Sequence, residues 1–191
     1  SETFSTYSIP QIFIKGAPLI LIALGLSVGF KANVWNIGAE GQYIMGAIFG
    51  ASFALSLYPL ENIIIFPVMI LIGVIGGCLW SMIPAFLKVK FQVNEILVSL
   101  MLVYVAEQIL ALASLGFLRN PDGAGFPGSR NLNQYTSASN AEIIAGTGIH
   151  LGVLLSLLMV IFFYVLLFRH SLGFKIKLLG NSPKASGFSG D

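Results

Sequence analysis

Long apolar runs separated by short polar stretches make up most of the chain. Reading for about 17–25 predominantly apolar residues, the length a helix needs to cross roughly 30 Å of hydrocarbon, predicts five membrane spans. The second span is the weakest, because it opens with Glu40 and Gln42, and a re-entrant or broken helix is the alternative there. The predicted fold class is therefore an all-α, polytopic transmembrane helix bundle. The approximate spans are 10–30, 38–58, 62–87, 95–117 and 147–168.

The composition agrees with a membrane protein. Of the 191 residues, 56% are hydrophobic and 9% are charged, whereas about a quarter of an ordinary soluble domain is charged. The net charge of +2 is too small and too scattered for nucleic-acid binding. Cys78 is the only cysteine, which excludes an internal disulfide and a Cys-rich metal site. Because Ser1 does not look like a natural start and the chain ends without a closing element, we expect a fragment that is incomplete at both ends.

Basic residues divide unequally between the two sides that alternating spans define. Seven fall on one side and three on the other, so the positive-inside rule makes the first side cytoplasmic. The 118–146 loop, rich in Gly, Pro, Asn and Ser, is then extracytoplasmic, and it is either a contact for a partner or a solvated linker. The first set is Lys31, Lys88, Lys90, Arg169, Lys175, Lys177 and Lys184, and the second is Lys15, Arg119 and Arg130.

Three spans carry pairs of glycines spaced four residues apart, which places each pair on one helix face. Lipid supplies no hydrophobic drive for helix association, so such faces allow backbones to approach and pack. In the second span the face continues through Gly38, Gln42 and Ala54. Helix packing is the main interpretation, and a lining for a substrate path is the alternative. The pairs are Gly25 and Gly29, Gly46 and Gly50, and Gly73 and Gly77.

Polar residues occur at predicted membrane depth in the string NVWNIGAEGQ, residues 33–42. Asn36 is predicted to cap a helix that begins at Ile37, with Glu40 near the positive end of the helix dipole. The cap leaves Gln42 unexplained, and an ionisable group inside the membrane is a functional-site hypothesis in its own right.

The fourth span carries acids at two depths. Asn94 and Glu95 form a predicted cap and first-turn acid at its start. Glu107 lies deeper, and it forms either an interhelical hydrogen bond or the wall of a cavity. His150 and His170, which flank the last span, are predicted interfacial residues.

Motifs of catalysis and of nucleotide binding do not occur in the sequence. It contains no H-E-x-x-H, no G-x-S-x-G and no cluster of paired carboxylates, and GLSVGFK at 25–31 lacks P-loop spacing. The chain is therefore predicted not to be an enzyme and to have no cofactor or metal site. If transport is powered by ATP, another chain must bind it.

The end of the chain is a basic segment punctuated by glycines, residues 169–191. Pro183 suits a first helical position after Asn181 or Ser182 as cap, which predicts a short helix on the cytoplasmic side. Such a helix is either a handle for a soluble partner or a simple amphipathic connector.

Three separated stretches together resemble a known family. They are FKANVWNIGAEGQYIMGA (30–47), VNEILVSLMLVYVA (93–106) and SLGFKIKLLGNSPKASGFSG (171–190). In this order and spacing they are similar to permeases of bacterial ATP-binding-cassette importers for nucleosides and simple sugars, a family that includes ribose-type and branched-chain amino acid permeases. The string NIGAEGQ is the most specific of the signals, and the resemblance covers nearly the whole chain.

The resemblance implies a multi-pass inner-membrane subunit that imports its substrate by alternating access. The implied partners are a second permease subunit, a cytoplasmic ATP-binding subunit and an extracytoplasmic binding protein. The polar residues Asn36, Glu40, Gln42 and Glu107 are then candidates for a translocation path or gate, because hydroxyl-rich solutes need hydrogen-bond partners. An ion-coupled secondary carrier or channel is the alternative function.

The same resemblance implies a coupling helix that docks on the ATPase. Ser186, Gly187 and Asp191 depart from the family pattern, and Gly187 is expected to weaken that helix. The residues implied in coupling are Gly180, Asn181, Pro183, Lys184, Ala185 and Gly190.

Overall fold

The computed structural model describes residues 8–124, 126, 128–140, 142–144 and 147–181. Six α-helices and one short antiparallel hairpin occupy these residues, which confirms the all-α fold class. A 3₁₀ helix, Leu132–Gln134, lies in the long loop. The helices are α1 (Ser8–Lys31), α2 (Ala39–Ser56), α3 (Ile65–Phe91), α4 (Glu95–Leu115), α5 (Leu151–Phe168) and α6 (Ser171–Asn181), and the strands are β1 (Glu142–Ile144) and β2 (Ile149–His150).

Four of the described helices are long and apolar enough to cross a membrane: α1 from Ile9, α3, α4 and α5. Helix α2 has 18 residues and lies outside this set, since Glu40 and Gln42 near its start lower its mean hydropathy. That the 38–58 stretch crosses the membrane completely stays a prediction.

The chain forms two compact units. One contains residues 1–36 and 140–191, and the other contains residues 37–139. In the described part of the first unit, α1 packs on α5, and α6 packs on both. The second unit consists of α2, α3, α4 and the loop that follows α4, with α2 between its two neighbours.

Helix α2 runs antiparallel to α3 and parallel to α4. Along α3, Gly46 lies against Gly73 and Gly50 against Met69, so the two sequences run in opposite directions. The apolar core between α2 and α4 forms because small residues of α4 leave room for the larger side chains of α2. This core consists of Met45, Ile48, Ala106, Ala113 and Leu118.

A three-residue connection joins α3 and α4. Gln92 ends α3 in the left-handed conformation, with φ 55°, and its N–H donates to the Lys88 carbonyl. Asn94 then caps α4, its side chain accepting the Ile96 N–H at 3.0 Å, which confirms the predicted cap. Glu95 pairs with Lys88 across the connection. The turn is therefore held by backbone, cap and ion pair together.

The loop after α4 returns to the connection between α2 and α3. The Tyr135 hydroxyl donates to the Leu60 carbonyl, and the Asn62 N–H donates to the Ser137 hydroxyl at 2.9 Å. Tyr135 and Ala138 are buried in a second core with Ala54. This loop is thus a packed part of its unit.

One prediction about a helix end was wrong, and another concerns residues outside the described chain. The N-cap of α2 is Gly38 and the helix begins at Ala39, so the prediction that Asn36 caps a helix from Ile37 was wrong. Ile37 lies outside the helix, where its N–H donates to the Ser99 hydroxyl on α4, 3.2 Å away. Helix α6 occupies 171–181, where no helix was predicted, and the helix predicted from Pro183 lies outside the described residues.

Candidate functional site

The first turn of α2 does not lie beside the first residue of α4. It contacts residues one to two turns further along that helix. Ile37 bonds to Ser99, the fifth residue of α4, and Gly41 lies against Val103, the ninth. A Cβ at Gly41 would sit 3.1 Å from the Val103 Cα and 3.2 Å from the Leu102 carbonyl oxygen. At 1.5 Å per residue, α2 therefore begins about 6 to 12 Å along α4 from its first residue.

Contacts with α3 also place the start of α2 away from the helix ends. A Cβ at Gly77 would lie 3.2 Å from the carbonyl oxygen of Gln42. Lys88, in the last turn of α3, follows about 17 Å further along the helix. Non-helical backbone at membrane depth is tolerated only where protein buries it or where it lines a wet cavity. The segment of Ile37 and Gly38 meets the first condition in part, since Gly38 is buried.

The predicted polar residues differ in their surroundings. Glu40 is exposed, Gln42 is half-buried, and Asn36, which belongs to the other unit, is half-buried. Within the described part of the chain, the Glu40 carboxylate has no hydrogen bond and no ion pair. The start of α2 thus combines buried glycines, which fix the backbone, with a carboxylate that is open to its surroundings.

Helix α4 presents a polar strip, which we define as Tyr104, Glu107 and Gln108. All three are exposed, and spacings of three and four residues place them on one helix face. Glu107 is the thirteenth residue of a 21-residue helix, about 18 Å from its start, and so lies just past the middle of a helix long enough to cross a membrane. An acid at this depth faces protein or a water-filled cavity rather than lipid.

The glycines of α2 and α3 make the contact between these helices. A Cβ at Gly46 would lie 2.9 Å from the Gly73 carbonyl oxygen, and one at Gly73 would lie 3.1 Å from the Gly46 carbonyl oxygen. A Cβ at Gly50 would lie 3.2 Å from the Met69 carbonyl oxygen. The two backbones therefore approach closely: a Cβ at Gly46 would force the helices to shift, and Gly50 and Gly73 leave little room for one.

Sequence reasoning missed three residues of this region. Ser99 is 2% exposed and accepts the Ile37 N–H while donating to the Ile96 carbonyl at 3.1 Å. Gly76 receives Phe49, since a Cβ there would lie 2.6 Å from the Phe49 Cγ. The Trp80 indole N–H is buried beside Gly41 with no hydrogen-bond partner among the described residues. Small residues inside an apolar run, as in NEILVSL, were the signal available for Ser99.

Comparison with known proteins identifies the family to which the chain belongs. A sequence profile described as branched-chain amino acid transport system / permease component matches residues 8–190. The chain belongs to this permease family. No solved structure matches it.

Several relatives of the permease are named for the solute that they transport. It is 30% identical over 193 residues to the glucose ABC transporter permease protein TsgB13 of Haloferax volcanii, covering 95% of this chain and 50% of that protein. It is 26% identical to the nucleoside ABC transporter permease protein NupB of Lactococcus lactis, covering 97% and 52%. It is also 26% identical to the guanosine ABC transporter permease protein NupP of Bacillus subtilis, covering 96% and 52%. The chain spans about half the length of these curated relatives.

The predicted coupling segment lies only partly within the described residues of the permease. Gly180 and Asn181 end α6, and Gly180 lies directly against the carbonyl of Lys31, at the end of α1. The other four predicted coupling residues lie outside the described chain, so their role stays a prediction. They are Pro183, Lys184, Ala185 and Gly190.

The two histidines of the permease flank α5. His150 is its N-cap residue without a side-chain cap bond, and its buried Nδ1 has no partner among the described residues. His170 Nδ1 accepts the Leu172 N–H at 3.2 Å, at the start of α6. In the described ranges, no group of three or more His, Cys, Asp or Glu side chains could hold a metal ion.

Proposed function

We propose that this permease forms part of the translocation path of an ATP-driven importer for a nucleoside or a simple sugar. The observation that carries the proposal is the family match from residue 8 to 190. Relatives named for glucose, nucleoside and guanosine transport support the substrate class. The chain would lie in the cell inner membrane, as an integral component rather than an enzyme.

The partners in this proposal are a second permease subunit, an ATPase subunit and an extracytoplasmic binding protein. ATP is bound by the ATPase subunit, and alternating access follows from its cycle through the coupling segment. The exposed polar strip near the middle of α4 supports the presence of another subunit or a water-filled path beside it. Placing the charged Glu107 carboxylate against lipid would cost several kcal/mol, roughly 3 on insertion scales.

The start of α2 and the polar strip of α4 are the proposed lining of the path. Within the second unit, Glu40, Gln42 and Glu107 supply acceptors and donors for hydroxyl groups. Asn36, which belongs to the first unit, is a candidate considered by itself. The glycine contacts with α3 and α4 support this assignment, because they fix the α2 backbone that carries Glu40 and Gln42.

The first experiment measures coupling in the full-length assembly. The full-length permease is co-expressed with its second permease and ATPase subunits, and ATP hydrolysis is measured with and without binding protein and substrate. We expect stimulation by loaded binding protein that is lost when Lys184 and its surrounding segment are altered. Uptake by the permease alone, driven by an ion gradient without the ATPase, would contradict the proposal and favour the ion-coupled carrier.

The second experiment tests the path lining. Glu107→Gln and Glu40→Gln each remove a charge, and we expect each to lower substrate uptake about tenfold while assembly and basal ATP hydrolysis persist, since a polar contact to a charged group contributes about 1.5–3 kcal/mol. Glu61→Gln, at an exposed position in the α2–α3 connection, is the matched control. Normal uptake and assembly in both variants would remove these acids from the path.

A further inference from the structure

A basic groove lies where the ends of α1 and α5 meet α6. It has a volume of about 670 Å³ and lies entirely within the first unit. Its polar lining includes Lys31, Arg169, His170 and Lys177, and its apolar lining includes Phe168 and Phe174. We call it the basic groove.

The backbone of α6 is held closely against both neighbouring helices. Gly173 is buried directly against the carbonyls of Leu166 and Leu167 at the end of α5, and Gly180 lies against the carbonyl of Lys31. Neither position has room for a Cβ. The backbone positions of the groove walls are therefore fixed by these contacts.

Among the described residues of this unit, no acid pairs with the cations of the groove. Arg169, Lys177 and Lys31 form no ion pair with any described residue. The only acid among the described residues of this unit is Glu142 in the hairpin before α5. An 18-residue helix separates it from the groove by about 27 Å, well beyond a Debye length of about 8 Å at physiological salt.

Hydrogen-bond donors point to an anionic occupant. His170 Nδ1 accepts the Leu172 N–H, so the proton of the neutral ring is on Nε2, which is then a donor. Lys and Arg offer only donors. Ser171 and Asn181 add a hydroxyl and an amide donor to the lining. Its described residues thus present six donor side chains and no carboxylate, the chemistry that recognises a phosphate.

Exposed aromatic side chains flank these donors. Phe168 is 64% exposed and Phe174 is 68% exposed. The Lys31 ammonium lies 3.9 Å from the centre of the Phe168 ring, so cation and aromatic surface are adjacent. The groove lies at the ends of two apolar helices, the level where lipid headgroups meet acyl chains.

We propose that the basic groove binds the phosphate of an anionic phospholipid headgroup, with the flanking aromatic side chains against its acyl chains. Basic pockets between transmembrane helices on the cytoplasmic side suit such headgroups. The positive-inside count places Lys31, Arg169 and Lys177 on that side. The combination of uncompensated cations with exposed aromatics favours a lipid over an acidic protein surface, which would not require the apolar flank.

The test uses the full-length permease purified with its partner subunits. Native mass spectrometry compares retention of phosphatidylglycerol and phosphatidylcholine, with inorganic phosphate added as a competitor in a separate arm. The variants are Arg169→Gln and Lys177→Gln. The control is Lys90→Gln, which removes a cation at the end of α3 outside the groove.

We expect the purified permease to retain phosphatidylglycerol preferentially. Each groove variant should weaken that retention about fivefold, because a cation near an anionic lipid surface contributes about a factor of five. Lys90→Gln should change it less than twofold. The thermal stability of each variant in detergent shows whether the fold has survived.

Three results would overturn the proposal. The first is equal retention of the two lipids, and the second is an equal loss in Lys90→Gln. The third is loss of the ATPase subunit from the groove variants with lipid retention unchanged, which would assign the groove to a protein partner. Displacement of the lipid by inorganic phosphate at comparable concentration would instead show a site for free phosphate.

Discussion

Gly25 and Gly29 in α1 have the same spacing as Gly46 and Gly50 in α2, but their surroundings differ. A Cβ at Gly25 would meet nothing within 4 Å among the described residues, and one at Gly29 would meet only the Val34 carbonyl, 3.3 Å away, in its own chain segment. Gly46 and Gly50 instead touch the backbone of α3. The spacing of glycines therefore marks a face on which backbones can approach, and the neighbouring helix decides whether they do.

The contacts that link α1 and α2 to their neighbouring helices differ in the same way. Backbone contacts and the Ser99 hydroxyl fix α2 against α3 and α4. Side chains fix α1 against α5, with Lys31 over the Phe168 ring as the specific contact. Since a backbone contact cannot be relaxed by a change of rotamer, we expect α2 to tolerate substitution less well than α1.

The largest effect is expected from adding a side chain at the α2–α3 contact. Gly46→Val should lower the free energy of unfolding of the full-length protein by about 2–3 kcal/mol, because its Cβ would start 2.9 Å from the Gly73 carbonyl oxygen. Gly25→Val is the matched control in α1. Denaturation in detergent would measure both, and equal losses would remove the distinction between the two helices.

A smaller effect is expected at the polar link between α2 and α4. Ser99→Ala removes the acceptor of the Ile37 N–H and should cost about 1–2 kcal/mol. Ser81→Ala is the control, since its exposed hydroxyl bonds only within α3, to the Cys78 carbonyl. Hydrogen exchange at residues 37–41 should increase in Ser99→Ala alone. Unchanged exchange there would mean that the glycine contacts suffice.

The smallest effect is expected in the first unit. Phe168→Leu removes the ring beneath Lys31 while keeping an apolar side chain, and should cost about 0.5–1 kcal/mol. Phe162→Leu, at an exposed position in the same helix, is the control. A loss as large as that of Gly46→Val would show that the α1–α5 contact depends on one specific interaction as strongly as the α2–α3 contact does.

The apolar runs predicted where the main helices lie, because five of the six described helices are long segments whose composition alone distinguishes them. Helix α6 was missed, since it is short and contains Gly173 and Gly180, which read as breaks in a sequence. In the structure these glycines are the points at which α6 touches α5 and α1. A residue that disfavours a helix locally is here required by packing.

The candidate site was predictable in its residues but not in its placement. Glu40, Gln42 and Glu107 stand out as polar groups in apolar surroundings, so the sequence alone could select them. The positions of Glu40 and Gln42 along the neighbouring helices depend on contacts of Ile37 with Ser99, 62 residues away, and of Gln42 with Gly77. The same long-range bond holds Ile37 outside the helix that was predicted to begin there. Local capping rules contain no information about a partner on a distant helix.

The short turn between α3 and α4 has a consequence for how the protein enters the membrane. Only Gln92, Val93 and Asn94 separate two helices that are each long enough to span a bilayer. Because a connection of this length keeps the two helices adjacent, we expect them to insert into the membrane together as a helical hairpin. Helix α2, whose glycines pack against α3, then meets both of its neighbouring helices in the same insertion step.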